Sequence, residues 1–161
     1  MQDESGSDGG ARGWEPRATA SFWINRASRT LLKLQDTRLR PLGFGMSQLP
    51  VLQALAGGKA LSQTELARAA CVEQPTMAEL LARMERDGVV ERQPDPEDRR
   101  ATLTSLTRRS RVRLPKAQAA LMALEDEVTA GLSAAEKGLL LDLLQRVLAN
   151  VERLPEKLPE K

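Results

Sequence analysis

With 161 residues, the chain is long enough for one domain with a real hydrophobic core, and its 41% apolar residues are mostly Leu and Ala. It has no histidine and one cysteine, Cys71, which excludes histidine-centred metal sites, Ser-His-Asp chemistry and an intramolecular disulfide. A net charge of only +2 does not announce a polyanionic partner, and four aromatics (Trp14, Phe22, Trp23 and Phe44) are too few for a base-stacking platform.

The distribution of charge says more. From Arg92 to Lys116, eight basic residues stand against three acidic ones, whereas the first eight residues carry three acids and no base. A phosphate-facing surface needs such a local excess, and a solvated Arg-rich helix face would look the same. No apolar run approaches the length of a membrane span and no signal peptide is visible, so a soluble, cytoplasmic protein with no membrane partner is expected.

In chain order, residues 1–15 are polar and Gly/Ser-rich and read as a disordered tail. Arg17 to Arg40 reads as a long helix with Ile24, Ala27, Leu31 and Leu34 on one face, ended by Pro41 and Gly43. A second helix, about Ser47 to Ala56, turns Leu49, Leu52 and Leu55 inward and stops at Gly57-Gly58. Ser62-Gln63-Thr64-Glu65 is a capping box that opens a third, short helix ending near Ala70. Pro75 suits the first turn of a fourth helix, where its missing N–H costs nothing; this helix runs through Arg86, and Gly88 fits its C-terminal cap. Leu80, Leu81 and Met84 face its core side.

Val89 to Gln93 and Ala101 to Leu106 are β-prone runs around the tip Pro94-Asp95-Pro96-Glu97-Asp98-Arg99-Arg100, so a hairpin is expected. Two long helices follow. Arg108 to Thr129 places Ala117, Leu121, Leu124 and Val128 on one face. Ser133-Ala134-Ala135-Glu136 is a second capping box, and the helix after it carries Leu140, Leu144, Val147 and Val151 on one face, with Leu139, Leu141, Leu143 and Leu148 widening the stripe. Residues 154–161 repeat Leu-Pro-Glu-Lys and are non-helical.

The fold class expected is mainly α with a small β-hairpin: a winged helix-turn-helix with long N- and C-terminal dimerisation helices. The organisation is a tail (1–15), an N-terminal dimerisation helix (16–45), a DNA-binding head (46–107), C-terminal dimerisation helices (108–153) and a second tail (154–161). The long apolar faces exceed what one small head covers, so a homodimer is expected, with a monomeric helical core as the alternative.

A helix-turn-helix lays its second helix in the major groove, here Gln74 to Arg86. Gln74, Pro75, Thr76 and Met77 then lie nearest the base edges, with Glu79 and Arg83 further along. Gln74 suits adenine, Thr76 suits a phosphate or a thymine methyl, and the helix N-terminus presents N–H groups to phosphate. At the hairpin tip, an Arg suits a narrow minor groove and Asp98 can hold it there; a solvated loop with surface ion pairs is the plainer alternative. Against an enzyme, Gly57-Gly58-Lys59 resembles a phosphate loop, but Gln53 stands where that motif needs Gly and Ala60 where it needs Ser or Thr. No cofactor or metal site is expected.

Leu61 to Ala67, Glu73-Gln74-Pro75-Thr76, Leu81 to Gly88, Asp95 to Arg100 and Leu106-Thr107, in that order, resemble the multiple antibiotic resistance regulator (MarR) family over roughly residues 17–153. The resemblance implies a homodimeric winged-helix regulator of double-stranded DNA, usually a repressor of efflux, stress or catabolic genes at a pseudo-palindromic operator. It further implies release by a small phenolic or lipophilic effector, or, in some members, by cysteine oxidation. By this match Gln74, Pro75 and Thr76 start the recognition helix, Arg99 and Arg100 are the wing arginines with Arg100 in the minor groove, and Asp98 is the acid beside them. Three departures are visible: Glu79 where many relatives have Arg, Ala82 where many have an Asp that ties the wing, and Ser110 where Gly is frequent. An effector cleft between the first, second and fifth helices would take Trp23, Phe44 and Met46 as walls, although these would equally make ordinary core. Cys71 reads as a small buried turn residue, with a redox sensor as the alternative. A weakly specific, architectural or protein-docking winged helix is the remaining one.

Overall fold

The computed structural model describes residues 15–96 and 101–155. Thr19 opens the first long helix, α1 (Ala20–Leu39), its hydroxyl accepting from Phe22 N at 3.4 Å. Arg40-Pro41-Leu42 tightens into a 3-10 turn, and Gly43 takes φ +80°. Phe44 N then donates to Leu39 O at 3.2 Å, which folds Phe44 back into the core. Helix α2 (Leu49–Ala54) is only six residues long and buries Val51 and Leu52.

Gly57 and Gly58 both have positive φ (+74° and +81°), a backbone open to Gly at little cost, and they turn the chain into a short strand, β1 (Ala60–Ser62). Then come α3 (Gln63–Ala69), α4 (Gln74–Arg86), β2 (Val90–Pro94) and β3 (Thr102–Leu106). The hairpin expected from the sequence is therefore part of a three-stranded antiparallel sheet in the order β1-β3-β2, with Ala60 opposite Ser105 and Val90 opposite Leu106. Ser62 serves twice: its extended backbone (φ −70°, ψ 160°) both ends β1 and caps α3.

The core lies under this head. Leu52, Leu55, Leu66, Met77, Leu81 and Met84 are fully buried, joined by Leu39, Phe44, Val90 and Leu106. Each such side chain contributes ~1.5–3 kcal/mol of transfer free energy. From the head, α5 (Arg108–Val128) runs back along α1, burying Leu114, Ala117 and Leu124. Arg38 and Glu127 bridge the two at 2.8 Å. The last helix, α6 (Ala134–Val151), buries no residue at all within the chain. At 100° per residue, its eight Leu and Val side chains from Leu139 to Val151 cover roughly 200° of its surface.

Candidate nucleic-acid interface

Two capped helices and a tight turn build the reading head. In the capping box of α3, Ser62 N and Oγ both donate to the Glu65 carboxylate (2.8 and 2.7 Å), and Glu65 N donates back to Ser62 Oγ at 3.3 Å. These donors hold the Glu65 carboxyl below its usual range, the Ser62 hydroxyl contributing most. At the other end, Cys71 N donates to Arg68 O (3.2 Å) and Val72 N to Ala67 O (3.0 Å), a Schellman closure with Cys71 in the left-handed position at φ +52°. Gly88 closes α4 with the same pattern, at φ +69°. The position after a helix's last turn projects outward, so Cys71 is exposed, not buried as expected.

Helix α4 divides cleanly. Met77, Leu80, Leu81 and Met84, spaced i, i+3, i+4, i+7, form its core face. Met77 is thus removed from the expected base-reading set: it is fully buried, and its spacing from Leu81 and Met84 requires that. The other candidates are exposed. Pro75, Thr76, Glu79 and Arg83 share an arc of roughly 120° with Ala82 and Arg86. Gln74 stands at the first position, where its Oε1 accepts from Gln63 Nε2 at 3.1 Å. The residue before α4, Glu73, gives no side-chain cap, unlike Thr19, Ser62, Thr107 and Ser133 before α1, α3, α5 and α6. The first turn of α4 therefore has no capping side chain from Glu73 beside the exposed arc.

The wing-tip candidates Asp98, Arg99 and Arg100 lie outside the described residues. The wing's base is described. Arg92 on β2 pairs with Glu85 on α4 at 3.3 Å, and Glu91 pairs with Arg111 on α5 at 3.8 Å. Glu85 thus ties the wing to the reading helix from three positions past Ala82, a contact the sequence did not signal because it joins distant elements. Thr107 Oγ1 donates to Gly88 O at 2.9 Å while capping Ser110 N at 3.2 Å, so one side chain joins the end of α4, the wing and the start of α5. Ser110, in place of a frequent Gly, is buried with its Oγ 3.1 Å from Thr107 Oγ1.

The three expected effector-cleft residues do not come together. Trp23 lies 54% exposed in the first turn of α1, its Nε1 donating to Arg17 O at 2.9 Å and its ring edge-on to Phe22. Phe44 is in the head core and Met46 is half-buried beside it. Leu39, against which Phe44 folds, is sixteen residues from Trp23, so about 24 Å of helix separates them. A cavity of about 350 Å³ lies elsewhere, between the Ala56-Gly57-Gly58 turn, Leu106 and the Arg111, Leu114, Pro115 and Gln118 face of α5.

Against known proteins, the profile of the MarR family matches residues 44–102, which span α2, the helix-turn-helix and the wing up to the start of β3. An uncharacterized HTH-type transcriptional regulator, YdgJ of Bacillus subtilis (strain 168), is 30% identical over 112 residues, 70% of this chain and 68% of that protein. The chain belongs to the MarR family. Among solved MarR-family structures, a mutant MarR from E. coli complexed with operator DNA superposes with a TM-score of 0.70 at 27% identity, over 80% of this chain and 92% of that one. CouR, a transcriptional repressor bound to a 23-mer DNA duplex, gives 0.72 at 24% identity, over 82% and 94%. PcaV of Streptomyces coelicolor, in complex with its natural ligand, gives 0.70 at 22% identity, over 84% and 96%. The chain is therefore a winged helix-turn-helix transcriptional regulator of the MarR family, and no helix among its described residues is long and apolar enough to cross a membrane.

Proposed function

We propose that the protein is a sequence-specific regulator of double-stranded DNA that binds a pseudo-palindromic operator as a homodimer. In this reading it represses efflux, stress or catabolic genes, and a small phenolic or lipophilic effector releases it. The carrying observation is α4: a buried apolar face holds it on the head, while Gln74, Thr76 and Glu79 stand exposed at its uncapped N-terminal half and Arg83 on the same arc in its last turn. Residues 46–107 act as the head and 16–45 with 108–153 as the dimerisation helices. The unburied α6 stripe supports this division, because a water-facing stripe of that width is stable only against another apolar surface. The wing arginines Arg99 and Arg100 complete the site, with Arg100 as the minor-groove contact and Asp98 as the acid that holds them. The operator-bound E. coli protein, at 27% identity, supports the same use of this head. For the effector, the α5 cavity offers an apolar wall with the guanidinium of Arg111, itself paired with Glu91, at its edge, which suits a small phenolic or lipophilic molecule.

Fluorescence anisotropy with DNA from upstream of the protein's own gene, against a shuffled duplex across a salt series, tests the reading. A preference of about a thousandfold or more at physiological salt is expected. Equal, steeply salt-dependent binding to both that duplex and the best site from a genome-wide selection would replace it with an architectural role. The Glu79 carboxylate on the reading face favours that second reading, because it repels phosphate. The exposure of Cys71 favours a redox-sensor reading, which falls if Cys71→Ser leaves peroxide-triggered DNA release intact.

A further inference from the structure

Gln63 opens α3 and Gln74 opens α4, and their amides meet across the turn. Gln63 Nε2 lies 3.1 Å from Gln74 Oε1 and 3.4 Å from the Gln74 backbone carbonyl oxygen. A backbone carbonyl only accepts, so the Gln63 group beside it has to be the NH₂. That NH₂ in turn fixes the Gln74 amide with its oxygen turned toward Gln63. The Nε2 of Gln74, with its two donors, is then the end offered to a ligand.

A freely rotating glutamine pairs with adenine through both atoms, accepting from N6 and donating to N7. Guanine presents two acceptors, N7 and O6, on the same edge. We propose that Gln63 is a positioning residue that holds Gln74 as a donor and thereby sets the operator's preference at that position to G·C over A·T. This rests on α4 being the DNA-reading helix. It also replaces the adenine pairing that Gln74 alone would suggest. Gln63 acts here through Gln74 and need not touch the base.

The test uses the full-length protein. Sites are selected from a random duplex library with the wild type, and the affinities of wild type, Gln74→Ala and Gln63→Met are measured on operators carrying each of the four base pairs at every half-site position. Met matches Gln in length and removes the amide. Gln74→Ala should flatten the preference at one position per half-site, where the wild type favours G·C over A·T by about fivefold or more. Gln63→Met should move that ratio by about fivefold toward A·T, with the ratios at other positions unchanged. A merely structural role for Gln63 would weaken all operators alike. That result overturns the proposal, as does an unchanged ratio in Gln63→Met, a wild-type preference for A·T there, or no flattening in Gln74→Ala. A wild type that selects no sequence at all overturns the regulator reading itself and takes this inference with it, which keeps the two failures distinct.

Discussion

Replacing Leu144 by Asp strikes inside the apolar arc on α6, near the middle of the helix's length. In the single chain Leu144 is 41% exposed, so its further burial awaits a partner. Full burial of a Leu is worth ~1.5–3 kcal/mol, which leaves about 0.6–1.2 kcal/mol for the exposed share. A two-fold interface uses each residue twice, so losing the two leucines costs about 1.2–2.5 kcal/mol of dimer. Each new carboxylate must also be desolvated or protonated on association, which adds at least ~1 kcal/mol per chain. Together these amount to about 3–4.5 kcal/mol, a rise of roughly two to three decades in the dimer dissociation constant. Sedimentation equilibrium from nanomolar to high micromolar concentration reads this directly. Because the side chain is already half in water, helical circular dichroism of the variant should be retained. An unchanged dimer constant would remove α6 from the interface, and a wild type that stays monomeric while binding a palindrome would refute the homodimer.

Four further outcomes are expected. Cys71→Gly relieves a left-handed residue and should raise stability by about 1 kcal/mol, seen as a higher urea midpoint; no gain would mean the turn tolerates its side chain without strain. Met77→Ala should cost ~2–5 kcal/mol of stability as a core truncation, whereas Thr76→Ala should leave the melting temperature nearly unchanged and weaken operator binding; the opposite pattern would reverse the faces assigned to α4. The Glu136 carboxyl is held below its usual range by the Ser133 backbone N–H and then its hydroxyl. Its stabilisation is complete above the unfolded value, near pH ~4.3, and is lost as pH falls through the lower folded value. Glu136→Gln keeps the acceptor but cannot titrate, so its thermal stability should fall less steeply between about pH 5 and 3 than the wild type's; parallel curves would dismiss the capping box as a source of acid sensitivity. Arg100→Ala should weaken specific binding by roughly 1–3 kcal/mol, and an unchanged operator affinity would remove Arg100 from the site.

Local signals were the legible ones. Ser62 with Glu65 and Ser133 with Glu136 mark helix starts because a capping box needs only four consecutive residues, and both boxes form. Pro75 and Gly88 likewise mark the ends of α4 within one turn of their own backbone. The burial of Met77 is also legible, since it falls at i, i+4 and i+7 with Leu81 and Met84, a periodicity that decides its face more firmly than its nearness to the helix start. The separation of Trp23 from Phe44 followed from rise per residue alone. β1 was not legible: three residues are too few for an alternation, and Ser62 already had a role as a cap. Nor was the pairing of Glu85 with Arg92, or of Arg38 with Glu127, because each depends on how separate elements dock.

The hydroxyl of Thr107 gives the molecule a mechanical pivot. It grips Gly88 O at the end of α4 and roots the first turn of α5, so the two elements cannot swing independently there. Helix α5 has 21 residues, a rod of about 31 Å rooted at that point. A tilt of such a rod by only ~5° about its rooted end carries the far end by about 2.7 Å, which is most of a base-pair step. In a pair of heads joined through their rods, the spacing between the two reading helices is therefore geared to small angles at one threonine.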